Sequence, residues 1–366
     1  MNDRLESPDR VDEVRLREAL AVVPVYKPGK PPTRSDEFVS YKMSSNENPF
    51  PPLPGVLEAI AQAAAGVNRY PDMGTTALRG AIAEQIGAEP DEIVPGTGSS
   101  GVLSAIITAT CESGDEVVYA WRSFEAYPIM VALSGARSVQ VPVTAEGRHD
   151  LNAMADAITS NTRLVLVCSP NNPTGTTVHT GELEEFLDRV PSDVVVVLDE
   201  AYLEFVRDDD APNAMEIYRS RNNVIVLRTF SKAYGLAGLR VGYAVAHPEV
   251  AASLRSCVLP FAVSDLAVQA VLASLDAQDA LAERVENLVG ERARMQSALQ
   301  ELGYDVPQTQ ANFVWLQLGE RTTAFAEAAD ARGLSVRPFA GEGVRVSVDD
   351  PEANARLLEV ARAFAG

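Results

Sequence analysis

The chain has 366 residues, with 31 Lys and Arg against 51 Asp and Glu, a formal charge of -20. At roughly 150 residues per domain this is length for about two domains, with ample core to fold without disulfide or metal staples. The acidic balance argues against nucleic acid or an anionic membrane as the main partner, since both need a basic face; a few local cations can still attract a small anion into a cleft.

The first segment, Met1 to Arg17, is charged and lacks the apolar run of a signal peptide. Val11 to Val23 has helical spacing, through Val11, Val14, Leu16 and Leu20. Pro24 to Pro54 is rich in proline, which predicts an extended arm. From Glu92 to Ala246 short apolar runs alternate with helical stretches. The runs are Glu92–Pro95, Glu116–Tyr119, Ser138–Val143, Arg163–Cys168, Val194–Leu198, Val224–Leu227 and Val241–Val245. Several are apolar throughout, as strands covered on both faces are. The predicted class is α/β: a mostly parallel sheet with helices on both faces, in a large domain over 51–260 that follows an N-terminal helix and arm over 1–50. Beyond Pro260, Leu266 to Leu302 reads as helix, and NFVWLQL, LSVRPF and GVRVSV as strands. They predict a smaller α+β domain over 261–366. Asp208–Asp210 reads as a solvated loop. No stretch of about 18 apolar residues predicts a membrane span.

The cysteines Cys111, Cys168 and Cys257 and the histidines His149, His179 and His247 are scattered. Neither set has metal-ligand spacing, so no metal site is expected, and a reducing cytoplasm fits three lone thiols.

Ligands of open α/β sheets sit at the carboxyl ends of the strands. Four such ends carry unusual polar residues. Gly96–Gly101 (GTGSSG) matches a Gly-rich turn that opens a helix and can bring amides to a phosphate. A dinucleotide site is the competing reading, but it needs an acid at the end of the next strand, where Ala120-Trp121-Arg122 stands. Asp199 ends VVVVLD, and a carboxylate there needs a cation or a donor. Lys232 follows TFS, with Arg240 eight residues on; a desolvated lysine becomes a nucleophile, although a lysine seen alone is most often a surface group. Asn172 sits in PNNPTG, a turn fixed by two prolines. A phosphate cradle, an amine, an acid and an Asn/Tyr pair together match the needs of pyridoxal 5'-phosphate.

In order and spacing, SSNENPF, NRYPD, GTGSSG, PNNPTG, VLDEAY, TFSKAYGLAGLRVGY and VRVSV resemble the fold-type I pyridoxal-phosphate aminotransferases. The resemblance runs from Tyr26 to the C-terminus and is to the histidinol-phosphate aminotransferase branch. It implies that Lys232 is the Schiff-base lysine and later a proton shuttle, and that Asp199 pairs with the pyridine nitrogen. Tyr202 and Asn172 would bond the ring hydroxyl, and Phe124 would stack on the ring. Ser99, Ser100, Ser231, Arg240 and Thr229 would hold the phosphate. Tyr70 would reach the phosphate of a partner subunit, which implies a homodimer. Arg345 would clamp the substrate carboxylate, Tyr26 and Asn48 would approach the substrate, and Arg337 would add a second cation. VPVYKPGK, WRSFEAYP, PFAVS and QANFVWL look most like the actinobacterial aromatic (phenylalanine) aminotransferases. The implied reaction moves an amino group from phenylalanine or tyrosine to 2-oxoglutarate by a ping-pong route, with histidinol phosphate as the alternative donor.

Overall fold

The computed structural model describes residues 17, 20, 23–33 and 38–365. The helix expected over 11–23 falls outside these residues, apart from 17, 20 and 23. The arm has no regular structure over 23–33 and then forms a short strand, β1 (Tyr41–Lys42). Two helices follow, α1 (Val56–Ala64) and α2 (Thr76–Ile86).

The seven runs read as strands all form one sheet: β2 (Ile93–Gly96), β3 (Glu116–Trp121), β4 (Arg137–Pro142), β5 (Thr162–Cys168), β6 (Val195–Asp199), β7 (Val224–Thr229) and β8 (Gly242–Val245). Their order is β2-β8-β7-β6-β5-β3-β4. Only β8 runs antiparallel to its neighbours. The connecting helices are α3 (Gly98–Thr110), α4 (Tyr127–Ser134), α5 (Leu151–Asp156), α6 (Thr180–Arg189) and α7 (Ala214–Ser220), with α8 (Pro248–Cys257) after β8.

The apolar runs are explained by two cores. Side chains alternate along a strand, so successive residues serve opposite faces. Val165, Val167, Val196 and Leu198 enter one core, with α2, α5, α6 and α7. Leu164, Leu166, Val197 and Ile225 enter the other, with α3, α4 and α8.

Leu266 to Leu302 forms two helices, α9 (Asp265–Leu275) and α10 (Gln278–Glu301). Ser264 caps α9, accepting from the Ala267 amide at 3.2 Å. Helix α9 packs on α1 and α2, beside the large sheet. The C-terminal part contains β9 (Phe313–Gln317), α11 (Thr322–Asp330), β10 (Leu334–Ser335), β11 (Arg337–Phe339), β12 (Gly343–Ser347) and α12 (Pro351–Ala365). LSVRPF, expected as one strand, is divided between two sheets. Leu334–Ser335 pairs with β1 of the arm in parallel, whereas Arg337–Phe339 joins the antiparallel sheet β11-β12-β9. No helix among the described residues is long and apolar enough to cross a membrane.

Gly242 sits where three backbones converge. A Cβ there would lie 2.4 Å from the Ser99 nitrogen and 2.9 Å from the Arg228 carbonyl oxygen. None of these atoms is the yielding tip of a side chain. Gly242→Ala should therefore destabilise the fold by about 1–3 kcal/mol, as overpacking does, read as a lower thermal midpoint beside wild type.

Candidate active site

The carboxyl ends of β5, β6 and β7 and the start of α3 open into one cleft of about 470 Å³, closed on the far side by β11, β12 and the arm. Lys232, Asp199, Tyr202, Asn172, Phe124, Ser99, Ser100, Thr229, Ser231, Arg240, Arg337, Arg345 and Tyr26 all line it. Residues from every region of the chain thus meet in one place.

Asp199 ends β6 at the floor and is 6% exposed. The Tyr127 hydroxyl, from the start of α4, donates to its Oδ2 at 2.6 Å. Its Oδ1 is buried without a partner. Burial raises the Asp199 pKa to about 6, against the bond from Tyr127. Next in the chain, Glu200 is also buried but lies 2.8 Å from the Arg228 guanidinium. That ion pair offsets a second carboxylate beside the first.

Lys232 is half-buried, and its Nζ donates to the Ser45 carbonyl at 3.3 Å. Burial lowers its pKa to about 7; Arg345 and Arg240 push the same way, and Glu47 and Asp199 oppose them. An amine so placed is substantially neutral near pH 7 and is competent as a nucleophile.

The anion cradle is built at the N-terminus of α3, where Ser99 and Ser100 occupy the first turn. Backbone amides and the helix dipole favour negative charge there. Arg240 Nη1 donates to Ser231 Oγ at 3.4 Å and to the Ala237 carbonyl at 3.0 Å. Gly98 has φ +76°, and a Cβ on it would lie 2.6 Å from Arg240 Nη2, so the glycine lets the guanidinium close on the turn.

Arg345 is buried, donating from Nη1 to Asn172 Oδ1 at 2.5 Å and from Nη2 to the Ser44 carbonyl at 2.7 Å. Its Nε has no partner. Tyr202 accepts at its hydroxyl from Asn46 Nδ2 at 2.9 Å, and burial raises its pKa, so it keeps a proton to donate.

One residue expected near the substrate lies elsewhere. Asn48 does not line the cleft: its Nδ2 donates to the Lys232 and Ala233 carbonyls at 3.2 and 3.0 Å, fixing the backbone that carries the amine. Asn46, two residues earlier, reaches in. Tyr70, expected to reach a partner subunit, is 82% exposed and stacks on Phe261 at 4.6 Å, away from this cleft. Sequence reasoning missed Tyr127, Asn46 and Glu125. All three lie inside motifs already singled out, SSNENPF and AWRSFEAYP.

The donor set fits pyridoxal 5'-phosphate. The open Asp199 Oδ1 suits a protonated ring nitrogen, the amine of Lys232 suits an aldehyde, and the α3 turn with Arg240 suits a phosphate.

Comparison with known proteins agrees. A family described as aminotransferase class I and II matches residues 40–360. An aromatic amino acid aminotransferase of Streptomyces coelicolor is 60% identical over 350 residues, 96% of this chain and 97% of that protein. One of Rhodococcus erythropolis is 50% identical, over 94% of this chain and 95% of that protein. Among solved structures, the histidinol-phosphate aminotransferase of Sinorhizobium meliloti in complex with pyridoxal-5'-phosphate superposes with a TM-score of 0.85. It is 29% identical, over 96% of this chain and 98% of that one. The chain belongs to the class I and II aminotransferases, a family dependent on pyridoxal 5'-phosphate.

Proposed function

We propose that this aminotransferase takes its amino group from an aromatic L-amino acid, phenylalanine or tyrosine, and passes it to 2-oxoglutarate in two half-reactions. The observation that carries the reading is the meeting of Lys232, Asp199 and Arg345 in one cleft, with the open Asp199 Oδ1 and Arg345 Nε turned to no protein group. The aromatic donor is supported by the relatives at 60% and 50% identity, against 29% for the histidinol-phosphate enzyme.

The chemistry supplied by the bound cofactor is an electron-withdrawing ring that accepts the electron pair left when the substrate Cα loses its proton. The chain does the rest. Asp199, still mostly ionised at neutral pH, keeps the ring nitrogen protonated. Ser99, Ser100, Thr229, Ser231 and Arg240 hold the phosphate, and Phe124 covers a ring face. Asn172 and Tyr202 hold the ring hydroxyl. Arg345 receives the substrate carboxylate as a planar fork. Lys232 would hold the cofactor aldehyde through its amine and would carry the proton at the substrate Cα. A large part over 51–260 carries the cofactor, and 261–366 with the arm completes the substrate side.

We read the working unit as a homodimer in the cytoplasm. Tyr70, Phe261, Leu259, Met73 and Val67 expose apolar surface on one copy, as an interface would. In that unit Tyr70 of each copy completes the phosphate site of the other. The compartment reading rests on three free thiols, Cys111, Cys168 and Cys257.

The purified enzyme should be yellow, borohydride should fix a pyridoxyl group on Lys232, and phenylalanine and tyrosine should exceed histidinol phosphate as donors to 2-oxoglutarate. A preference for histidinol phosphate would move the enzyme to that branch. A colourless protein that takes up no pyridoxal phosphate would end the reading. Lys232→Ala should lower turnover at least about 100-fold, the loss of a positioned proton carrier.

Tyr70→Phe should weaken retention of the cofactor about tenfold, one hydrogen bond to a charged group, measured by equilibrium dialysis. Unchanged retention would remove Tyr70 from the site.

The depressed amine also makes a prediction about stability. Its pKa falls from 10.5 to about 7 on folding. Between those values the unfolded chain binds more protons, so stability rises with pH. Cofactor-free Lys232→Met should melt above cofactor-free wild type near pH 7, with the gap closing toward pH 10 in a series of melting curves.

A further inference from the structure

Two arginines enter the cleft from neighbouring strands. Arg337 on β11 and Arg345 on β12 are direct partners across the antiparallel ladder. Direct partners share a face of the sheet, with Cβ atoms roughly 5 Å apart, and like charges so placed repel. The fold treats the two differently. The hydrogen-bonding partners of Arg345 are neutral, Asn172 Oδ1 and the Ser44 carbonyl, and its Nε is unpartnered. It keeps its charge and an open edge.

Arg337 is fully engaged. Its Nε and Nη2 both donate to Glu125 Oε2, at 3.2 and 2.6 Å, and its Nη1 donates to the Pro28 carbonyl at 3.2 Å. Glu125 follows Phe124 in the loop after β3, so its carboxylate crosses the cleft from the large sheet to the small one. The pair is largely covered, with side chains 11% and 29% exposed. A second substrate anion could use Arg337 only by displacing Glu125 and leaving a carboxylate unpaired in the cleft.

We propose that Glu125 is a specificity-determining residue. By holding Arg337 in a neutral pair it leaves the substrate side of the cleft one anion seat, at Arg345. It thereby discriminates against substrates with a second anionic group, a phosphate ester or a side-chain carboxylate, and favours uncharged side chains. The inference rests on the reading above that Arg345 receives the substrate carboxylate. The same pair raises the KM of the dianionic acceptor 2-oxoglutarate.

The test uses Glu125→Gln holoenzyme and two inert acids of similar length, glutarate and 3-phenylpropionate, whose binding is followed by calorimetry. The variant should bind glutarate about tenfold tighter relative to 3-phenylpropionate than wild type does, the effect of one released charged partner. Its kcat/KM for histidinol phosphate relative to phenylalanine should rise, and its KM for 2-oxoglutarate should fall. In Glu125→Gln combined with Arg337→Met the gain for glutarate should vanish, because it acts through Arg337. A glutarate to phenylpropionate ratio within twofold of wild type, or a gain that survives in the double variant, overturns the assignment. Wild-type enzyme inactive with aromatic donors would defeat the donor reading alone; the binding ratio needs no turnover and still decides the role of Glu125.

Discussion

Keeping the Asp199 carboxylate out of water is the constraint on which the cleft depends. Desolvating such a group costs several kcal/mol unless partners meet it. Asp199 ends an apolar strand, between Cys168 and Leu227 on the adjacent strands, so its partner must come from another element: the Tyr127 hydroxyl on Oδ2. One oxygen is left open, and it is the one that a cationic ring can satisfy. The next residue shows the alternative. Glu200, equally buried, has the Arg228 guanidinium on its Oε2 and does not line the cleft. Two consecutive acids thus have opposite fates, set by which elements stand against them.

The same logic governs the cations. The chain carries a net charge of -20, yet Lys232, Arg240, Arg337 and Arg345 are gathered in a single cleft. Such focusing draws small anions against the overall field. Each cation is then assigned. Arg240 donates to Ser231 and stands against the α3 turn at Gly98, Arg337 is cancelled by Glu125, and Lys232 is held near neutrality by burial and by the other cations. Among the described arginines, Arg345 alone has a buried nitrogen without a partner.

Much of this was legible in the sequence, for identifiable reasons. The seven strands could be read because burial on both faces leaves an unbroken apolar run, as in VVVVLD. Lys232 and Asp199 could be read because each polar residue breaks such a pattern at a strand end. LSVRPF could not be divided in advance: its halves pair with partners about 290 residues earlier and four to eight residues later, and no local pattern carries the first of these. Asn46 and Asn48 are equivalent by type and differ only in which way the loop turns. Glu125 and Tyr127 had no signal of their own, since an acid and an aromatic ring two residues apart read as surface and core until the fold turns Glu125 into the cleft and buries the Tyr127 hydroxyl against Asp199.

The pairing of β1 with β10 has a mechanical result. The arm is sewn to the C-terminal part at Tyr41–Leu334, at the Ser347 amide that donates to the Met43 carbonyl, and at the Lys30 carbonyl that accepts from Ser335. Tyr26 and Arg345, contributed by opposite ends of the chain, thus belong to segments tied to one another, and the roof of the cleft and its anion clamp share one support.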